Sequence, residues 1–302
     1  MLRAAATMVV PVLIAAGCAH PAAAPVRAGG PVPSPGSGTA PVPPAVSPTP
    51  SRPASPSAKP KPKPTATLRK NVGPAADVPH GAPSPVPPSD GTPALGAGTF
   101  TGATGGTGVV GTGTTLVTYR VEVEDGIAWG ANPVWTPDQF ASTVDTVLAG
   151  PRSWTAAAAH PVTDPAQHLT GASWSFQRID AAAGYSVRIR LATPGTVDRL
   201  CGAVGVQTQG QYSCRYGNTI MVNLRRWLHG APGFPISLDG YHENVINHEM
   251  GHFLGFAHML CPGAGQPAPI MMTQTIALGG CLPNSYPFAA DGTFVTGPWA
   301  PS

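Results

Sequence analysis

His248-Glu249-Met250-Gly251-His252-Phe253-Leu254-Gly255-Phe256-Ala257-His258 is the stretch on which the reading of this chain turns. It has the form H-E-x-x-H-x-x-G-x-x-H. His248 and His252 are four residues apart, so on a helix they share one face and can hold the same metal ion. Glu249, the next residue along, can act as general base on a water activated by that ion. Gly255 marks where the helix can stop, because glycine enters the left-handed region without a Cβ penalty. The reversed chain can then return His258 as a third ligand. Three neutral imidazoles leave the fourth tetrahedral position of zinc open, as a hydrolytic site requires. At the His, Glu and Gly frequencies of this chain, a chance match to the full pattern is on the order of one in 10⁵, so coincidence is a poor account of it.

Downstream, Pro269-Ile270-Met271-Met272-Thr273 places an apolar run with Met271 13 residues after His258. The histidine pattern resembles the metzincin clan of zinc peptidases, whose second hallmark is a methionine in a tight turn beneath the metal. Met271 fits that Met-turn, and Met272 is the alternative. Several metzincins carry a Tyr just after this Met as an extra ligand or transition-state donor. Thr273 stands there instead, so that role has no evident occupant.

From Leu116 to Pro287 the sequence also resembles an actinobacterial family of secreted metzincin-like proteins that is known by its pattern. The marks are Val245-Ile246-Asn247-His248-Glu249, Cys261-Pro262-Gly263, Pro269-Ile270-Met271-Met272 and the run Asn223 to Pro232. These resemblances imply an α+β, metzincin-like fold. A twisted β-sheet with a backing helix would precede a long zinc-binding helix and an irregular C-terminal subdomain holding the Met-turn. They imply a Zn2+ cofactor and no particular substrate.

The ends of the chain read differently. Residues 1–18 hold Arg3, the apolar run Val9, Val10, Val12, Leu13 and Ile14, and then Ala15-Ala16-Gly17-Cys18. This is a secretory signal, too short for a stable transmembrane helix. Its end resembles a bacterial lipoprotein cleavage box in which Cys18 is lipidated, with Ala15 where Leu is usual. Ordinary cleavage near Ala22-Ala23-Ala24 is the alternative.

Residues 19–113 are dominated by Pro, Ala, Gly, Ser and Thr, which bury too little apolar surface to offset ordering entropy, and read as a disordered tether. Lys59-Pro60-Lys61-Pro62-Lys63-Pro64 favours an extended, self-repelling chain. At about 3.1 Å per residue the tether could reach on the order of 300 Å, enough to cross a cell wall. Residues 1–113 carry eight Lys/Arg against two acids, and residues 114–302 nine Arg against twelve acids. A basic tether can rest on anionic lipid or on cell-wall polymer, or be no more than a solvated linker. The acidic folded part argues against nucleic acid.

The five cysteines are Cys18, Cys201, Cys214, Cys261 and Cys281. An odd number in an exported chain asks for one special thiol, and lipidation of Cys18 supplies it. Of the three pairings open to the rest, the local one is favoured, Cys201–Cys214 and Cys261–Cys281. The second loop would staple the Met-turn and contribute roughly 3 kcal/mol by restricting the unfolded chain. Cys261 as a zinc ligand is disfavoured, since three histidines suffice.

Residues 114–302 are enough for one domain with its own core. Leu116 to Glu124 alternates as a strand. Thr136-Pro137-Asp138-Gln139 starts a helix with Thr as N-cap and Gln at N3, and Phe140, Val144, Val147 and Leu148 form its apolar stripe up to Gly150-Pro151. Trp174 to Ile179 and Tyr185 to Leu191 alternate as two strands joined around Gly184. Asn218 to Leu224 is a further strand, expected at the sheet edge beside the cleft, where it would bind an extended peptide. Asp239 to Leu254 is the helix bearing the ligands. His242, six residues before His248, falls on the opposite helix face and makes a polar contact rather than a fourth ligand.

Three functions compete. The first is an extracytoplasmic endopeptidase, anchored to the membrane or secreted, acting on a peptide or protein substrate with Glu249 as base. The second is a wall-anchored module that keeps zinc for stability alone. Glu249 argues against it, since a structural site needs no base and is usually closed by a fourth ligand. The third is zinc-dependent hydrolysis of a non-peptide amide in the wall. No inhibitory pro-segment stands out, though Asp77 and Asp90 lie in the tether.

Overall fold

The computed structural model describes residues 75–76, 90–180 and 182–301. The signal segment, Cys18, the Lys-Pro repeat and Asp77 lie outside the described residues. In chain order the elements are β1 (Ala75–Ala76), β2 (Phe100–Gly102), β3 (Thr115–Glu124), α1 (Pro137–Ala149), β4 (Val162–Asp164), β5 (Leu169–Ala172), β6 (Trp174–Arg178), β7 (Val187–Ala192), α2 (Pro194–Gly202), β8 (Cys214–Tyr216), β9 (Thr219–Asn223), α3 (Leu224–His229) and α4 (Leu238–Leu254). A 3-10 turn spans Trp154–Ala158. The fold is mixed α+β.

Seven strands form one mixed sheet in the order β1-β8-β9-β7-β3-β2, with β6 also paired to β3. β3, β7 and β9 run parallel. β2 is antiparallel to β3, and β8 is antiparallel to β9. Alternation along each strand sends residues to two different layers. Val117, Tyr119, Val121, Ile189, Leu191, Ile220 and Val222 join the main core with α1 and α4. Ala192 and Met221 face a smaller cluster with Val197 and Cys201 of α2.

The helices begin as their sequences dictate. Thr136 caps α1 in a full capping box with Gln139, and Phe140, Ala141, Val144, Val147 and Leu148 are buried. Thr193, the N-cap of α2, makes no side-chain cap of its own. Glu124 supplies it from β3, accepting from Thr193 N at 2.8 Å, Thr193 Oγ1 at 2.7 Å and Thr196 Oγ1 at 2.6 Å. That buried carboxylate ties the sheet to the helix start, where negative charge is favourable.

Three expectations change. The first is the tether boundary at residue 113. Ala97 N donates to Asp125 O, β2 pairs with β3, and Val110 exchanges hydrogen bonds with Phe176 of β6. Ala75–Ala76 of β1 lies antiparallel on β8. These segments add by main-chain bonds, which any Gly- or Thr-rich stretch can make, so composition hid them. The second concerns the placing of the two strands joined around Gly184, which both form, over Trp174–Arg178 and Val187–Ala192, but not side by side. β6 and β7 do not pair with each other; both run parallel to β3, β6 along Thr115–Tyr119 and β7 along Tyr119–Val123. The third is the edge strand. β9, within the Asn218–Leu224 stretch, is interior between β7 and β8, with all five residues buried. The antiparallel strand outside it is the much shorter β8.

Both disulfides join local partners. Cys201–Cys214 links α2 to β8 with Cα atoms 6.7 Å apart, and Cys261–Cys281 closes the loop after α4 with Cα atoms 5.8 Å apart. Such bonds belong to oxidising compartments. Among the described residues no helix is long and apolar enough to cross a membrane.

Candidate metal centre

α4 positions two of the three histidines. Ser237 caps its start, its hydroxyl accepting from Gly240 N at 3.1 Å, and Asp239 in the first turn complements the dipole. The helix is buried on nearly every side, including His242, Asn244, Asn247, His248, Glu249 and His252. It ends at Gly255, with φ 108° and ψ 7°, whose N–H bonds back to Gly251 O and His252 O. A residue with a Cβ is strained there.

That reversal does two things. It turns the Phe256 carbonyl back to accept from His252 Nδ1 at 2.8 Å. It also returns His258, whose Nε2 lies 3.1 Å from His252 Nε2. His248 Nδ1 donates to Ile270 O at 2.7 Å. With Nδ1–H committed to a carbonyl, His248 and His252 each present Nε2 as the lone-pair nitrogen, the tautomer a metal needs. One ligand atom from each of His248, His252 and His258 lies within 4.8 Å of the others. Nitrogens about 2.0–2.1 Å from a tetrahedral zinc stand about 3.4 Å apart, so turns of the imidazole side chains by about an ångström would bring this donor set onto the ion.

The floor of the site is a turn. Met272 N donates to Pro269 O at 2.9 Å, closing Pro269–Met272. Within it the carbonyl of Ile270 orients His248, and that of Met271 accepts from Met259 N at 3.0 Å, next to His258. Met271 is fully buried in the main core, whereas Met272 packs with Ala268 and Cys281 at the disulfide. Of the two methionines, Met271 is therefore the one against α4. His258 O also accepts from Ala300 N at 2.9 Å, so the C-terminal segment clamps the third histidine.

Residues 86–293, more than half of the chain, match the family described as Protein of unknown function (DUF3152). The chain belongs to that family. The DUF3152 region takes in His248, Glu249, His252, His258, Met271 and the four cysteines of the two disulfides. It also begins before Asp90, in keeping with the packed segment ahead of β3. Neither the curated proteins nor the solved structures give a match to the chain.

Several residues that shape this DUF3152 site carry no motif. Trp154 stacks on Phe256 with ring centroids 4.9 Å apart and donates from Nε1 to Asn247 O at 2.9 Å. Ser153 Oγ bonds Asn247 Oδ1 at 2.8 Å, and Asn247 Nδ2 donates to Ser285 O at 3.0 Å. Asn247 thus locks the turn of α4 immediately before His248. The signal that could have found it is a buried amide adjoining a ligand on a helix, which needs the three-dimensional neighbours to be recognised.

Arg215 is another. It is buried on β8 and lies in the field of Glu249, which is fully buried. Burial pulls the Arg215 guanidinium below its usual range, and the nearby Glu249 charge works in the opposite direction.

His242 lies away from the triad, as its spacing predicts. It stacks on Trp227 with centroids 3.6 Å apart, and its Nε2 bonds Trp227 O at 2.7 Å. Burial pushes its pKa down, the Trp227 contact opposing that only in part. Asp90 binds Arg225 Nε at 2.6 Å and Thr92, with His229 Nε2 4.0 Å away, and not the three histidines of the site. Burial works to raise its carboxyl, but the bonds from Thr92 and Arg225 outweigh this and hold it at about 2.

Proposed function

We propose that this protein is a metzincin-like zinc endopeptidase acting outside the cytoplasm, on a peptide or protein substrate. The observation that carries the reading is the convergence of His248, His252 and His258 on one point, with two of the rings fixed in the metal-ready tautomer by Ile270 O and Phe256 O. A purely structural zinc would ask for a fourth protein ligand, and no fourth His, Cys, Asp or Glu joins this group among the described residues.

Bound zinc would polarise a carbonyl and activate water toward it. The chain does the rest. Glu249, one residue along α4 from the first ligand, takes the water's proton and later delivers it to the departing amine. Met271 in its turn supports α4 from below, the place of a Met-turn. Thr273 offers no phenol, so charge developing on the carbonyl oxygen is met without the Tyr that several metzincins use.

Export follows from the signal segment and accords with the two disulfides. Cys18 is the proposed lipid anchor to the outer face of the membrane, and the basic tether before the domain is the proposed contact with anionic lipid or cell-wall polymer. The test of the central reading uses zinc-loaded full-length protein and a fluorogenic peptide library. Glu249→Ala keeps one zinc per chain and loses hydrolysis by at least about 100-fold, the scale of a missing general base. His252→Ala loses the zinc itself. Hydrolysis that survives Glu249→Ala sinks the mechanism.

A further inference from the structure

The second strand of the sheet, β8, sends a charge inward. β8 is three residues long, and its facing is fixed by its neighbours. Cys214 pairs across the ladder with Met221, and both lie in the small cluster on the α2 side. The next residue, Arg215, must leave the opposite face. Its cross-strand partner Ile220 packs there in the main core with Val245 and Ile246 of α4. The Cys201–Cys214 disulfide and the ladder with β9 hold β8 in that register. Arg215 is 4% exposed and Glu249 0%. Nε of the one and both carboxylate oxygens of the other are buried atoms. Nη1 of Arg215 bonds Gly217 O at 3.4 Å, which ties the far end of the side chain to its own hairpin. A buried guanidinium needs polar partners or a counter-charge: Arg226, 6% exposed, is met by Gln211 and by main-chain carbonyls, whereas Arg215 lies in the field of the Glu249 carboxylate.

We propose that Arg215 is the positioning residue of Glu249: β8 delivers its guanidinium to the side of α4 that bears the carboxylate, and the pair fixes where that carboxylate points. Its catalytic meaning rests on the reading of Glu249 as general base, but the pairing itself does not. The planar fork suits this task, since it can engage a carboxylate through two parallel bonds and so set its orientation as well as its charge. His248 and His252 are aimed by main-chain carbonyls, so Arg215 acts on the base and not on the ligand set.

The experiment is a double-substitution cycle in the metal-free full-length chain, read by denaturant unfolding. Arg215→Gln and Glu249→Gln each leave one buried charge without its partner, and the double variant leaves neither. The expected result is non-additivity, the double variant losing at least tenfold less in the unfolding equilibrium constant than the two single losses combined. Additivity overturns the pair. If Arg215→Gln does not fold, restoration of folding by the added Glu249→Gln supports the pair, and failure to restore it overturns it.

The second arm uses zinc-loaded protein and the fluorogenic peptide library. Arg215→Gln should keep one zinc per chain and an unchanged KM while kcat falls by about 100-fold, and Arg215→Lys should recover at least a tenth of the wild-type kcat. Equal loss in the Lys and Gln variants removes the positioning role. The two readings fail separately. Coupling in a wild-type chain that cleaves nothing keeps the pair and sinks the peptidase. Cleavage with an additive cycle does the reverse.

Discussion

A Cβ placed on Gly251 would run into the sulfur of Met271 and the ring of Trp154. Gly251 lies between the two helical ligands, so α4 settles onto the Pro269–Met272 turn with no side chain between backbone and sulfur. In an exposed helix a Gly-to-Ala change gains up to about 1 kcal/mol. Here the sign reverses. Gly251→Ala forces Met271 and Trp154 apart and should cost about 1–3 kcal/mol, the range for overpacking a core. It should also weaken zinc, because Ile270 next to Met271 orients His248. Denaturant unfolding and a competitive zinc titration read both; a variant as stable and as tight as wild type would refute the close approach.

Gly255→Ala tests the reversal. At φ 108° a Cβ strains the backbone, and relief of that strain moves both Phe256 O and His258. We expect zinc affinity to fall at least tenfold, with a stability loss of about 1 kcal/mol. Unchanged affinity in the same titration would mean that the third ligand does not depend on the turn.

Much of this site was legible in eleven residues because its spacing obeys helix geometry. His248 and His252 had to share a face, and Gly255 had to end the helix. Met271, which the sequence favours over Met272, is set apart in the structure by what each touches, Gly251 for one and the disulfide cluster for the other. Asn247 and Arg215 were illegible for a different reason. A single Asn on a helix or Arg on a short strand has the same local pattern whether it faces water or a buried carboxylate. The segment from Asp90 to Gly113 was misread because main-chain pairing leaves no side-chain periodicity to detect. β6 and β7 were found as strands, but their common partner β3 lies more than 50 residues away, beyond the reach of any local signal.

Trp154→Phe removes the Nε1–H bond to Asn247 O while keeping an aromatic ring against Phe256. Loss of one buried hydrogen bond with part of the ring volume should cost about 1–3 kcal/mol. Since Asn247 adjoins His248, the zinc titration should weaken as well. A stability loss with unaltered zinc affinity would show that Trp154 supports the core alone.

His242 predicts a pH dependence. Its folded-state pKa is depressed, chiefly by burial, below the ordinary 6.5. The unfolded chain therefore binds a proton that the folded chain refuses once the pH drops below about 6.5. The stability that neutral His242 contributes is present above that value and is lost progressively below it. Unfolding midpoints of metal-free protein at pH 7.5 and 5.5 should differ more in wild type than in His242→Gln. Equal differences would rule His242 out as the source.

The Cys261–Cys281 bond gives the candidate metal centre a sense of place. Its loop holds Ile270, which aims His248, and Met271, which bears the weight of α4. While those thiols are reduced, the floor of the site is held by hydrogen bonds and by the packing of Ile270 and Met271 in the core, with no covalent closure, and the histidines have a less settled cradle. On the proposed zinc reading, oxidation becomes an assembly step for metal capture: a chain still in a reducing cytosol should be a poor trap, and the same chain after export a good one. Cys261→Ser/Cys281→Ser protein should release zinc to a chelator at least tenfold faster than the oxidised wild type, and an equal release rate would cut the link between compartment and metal.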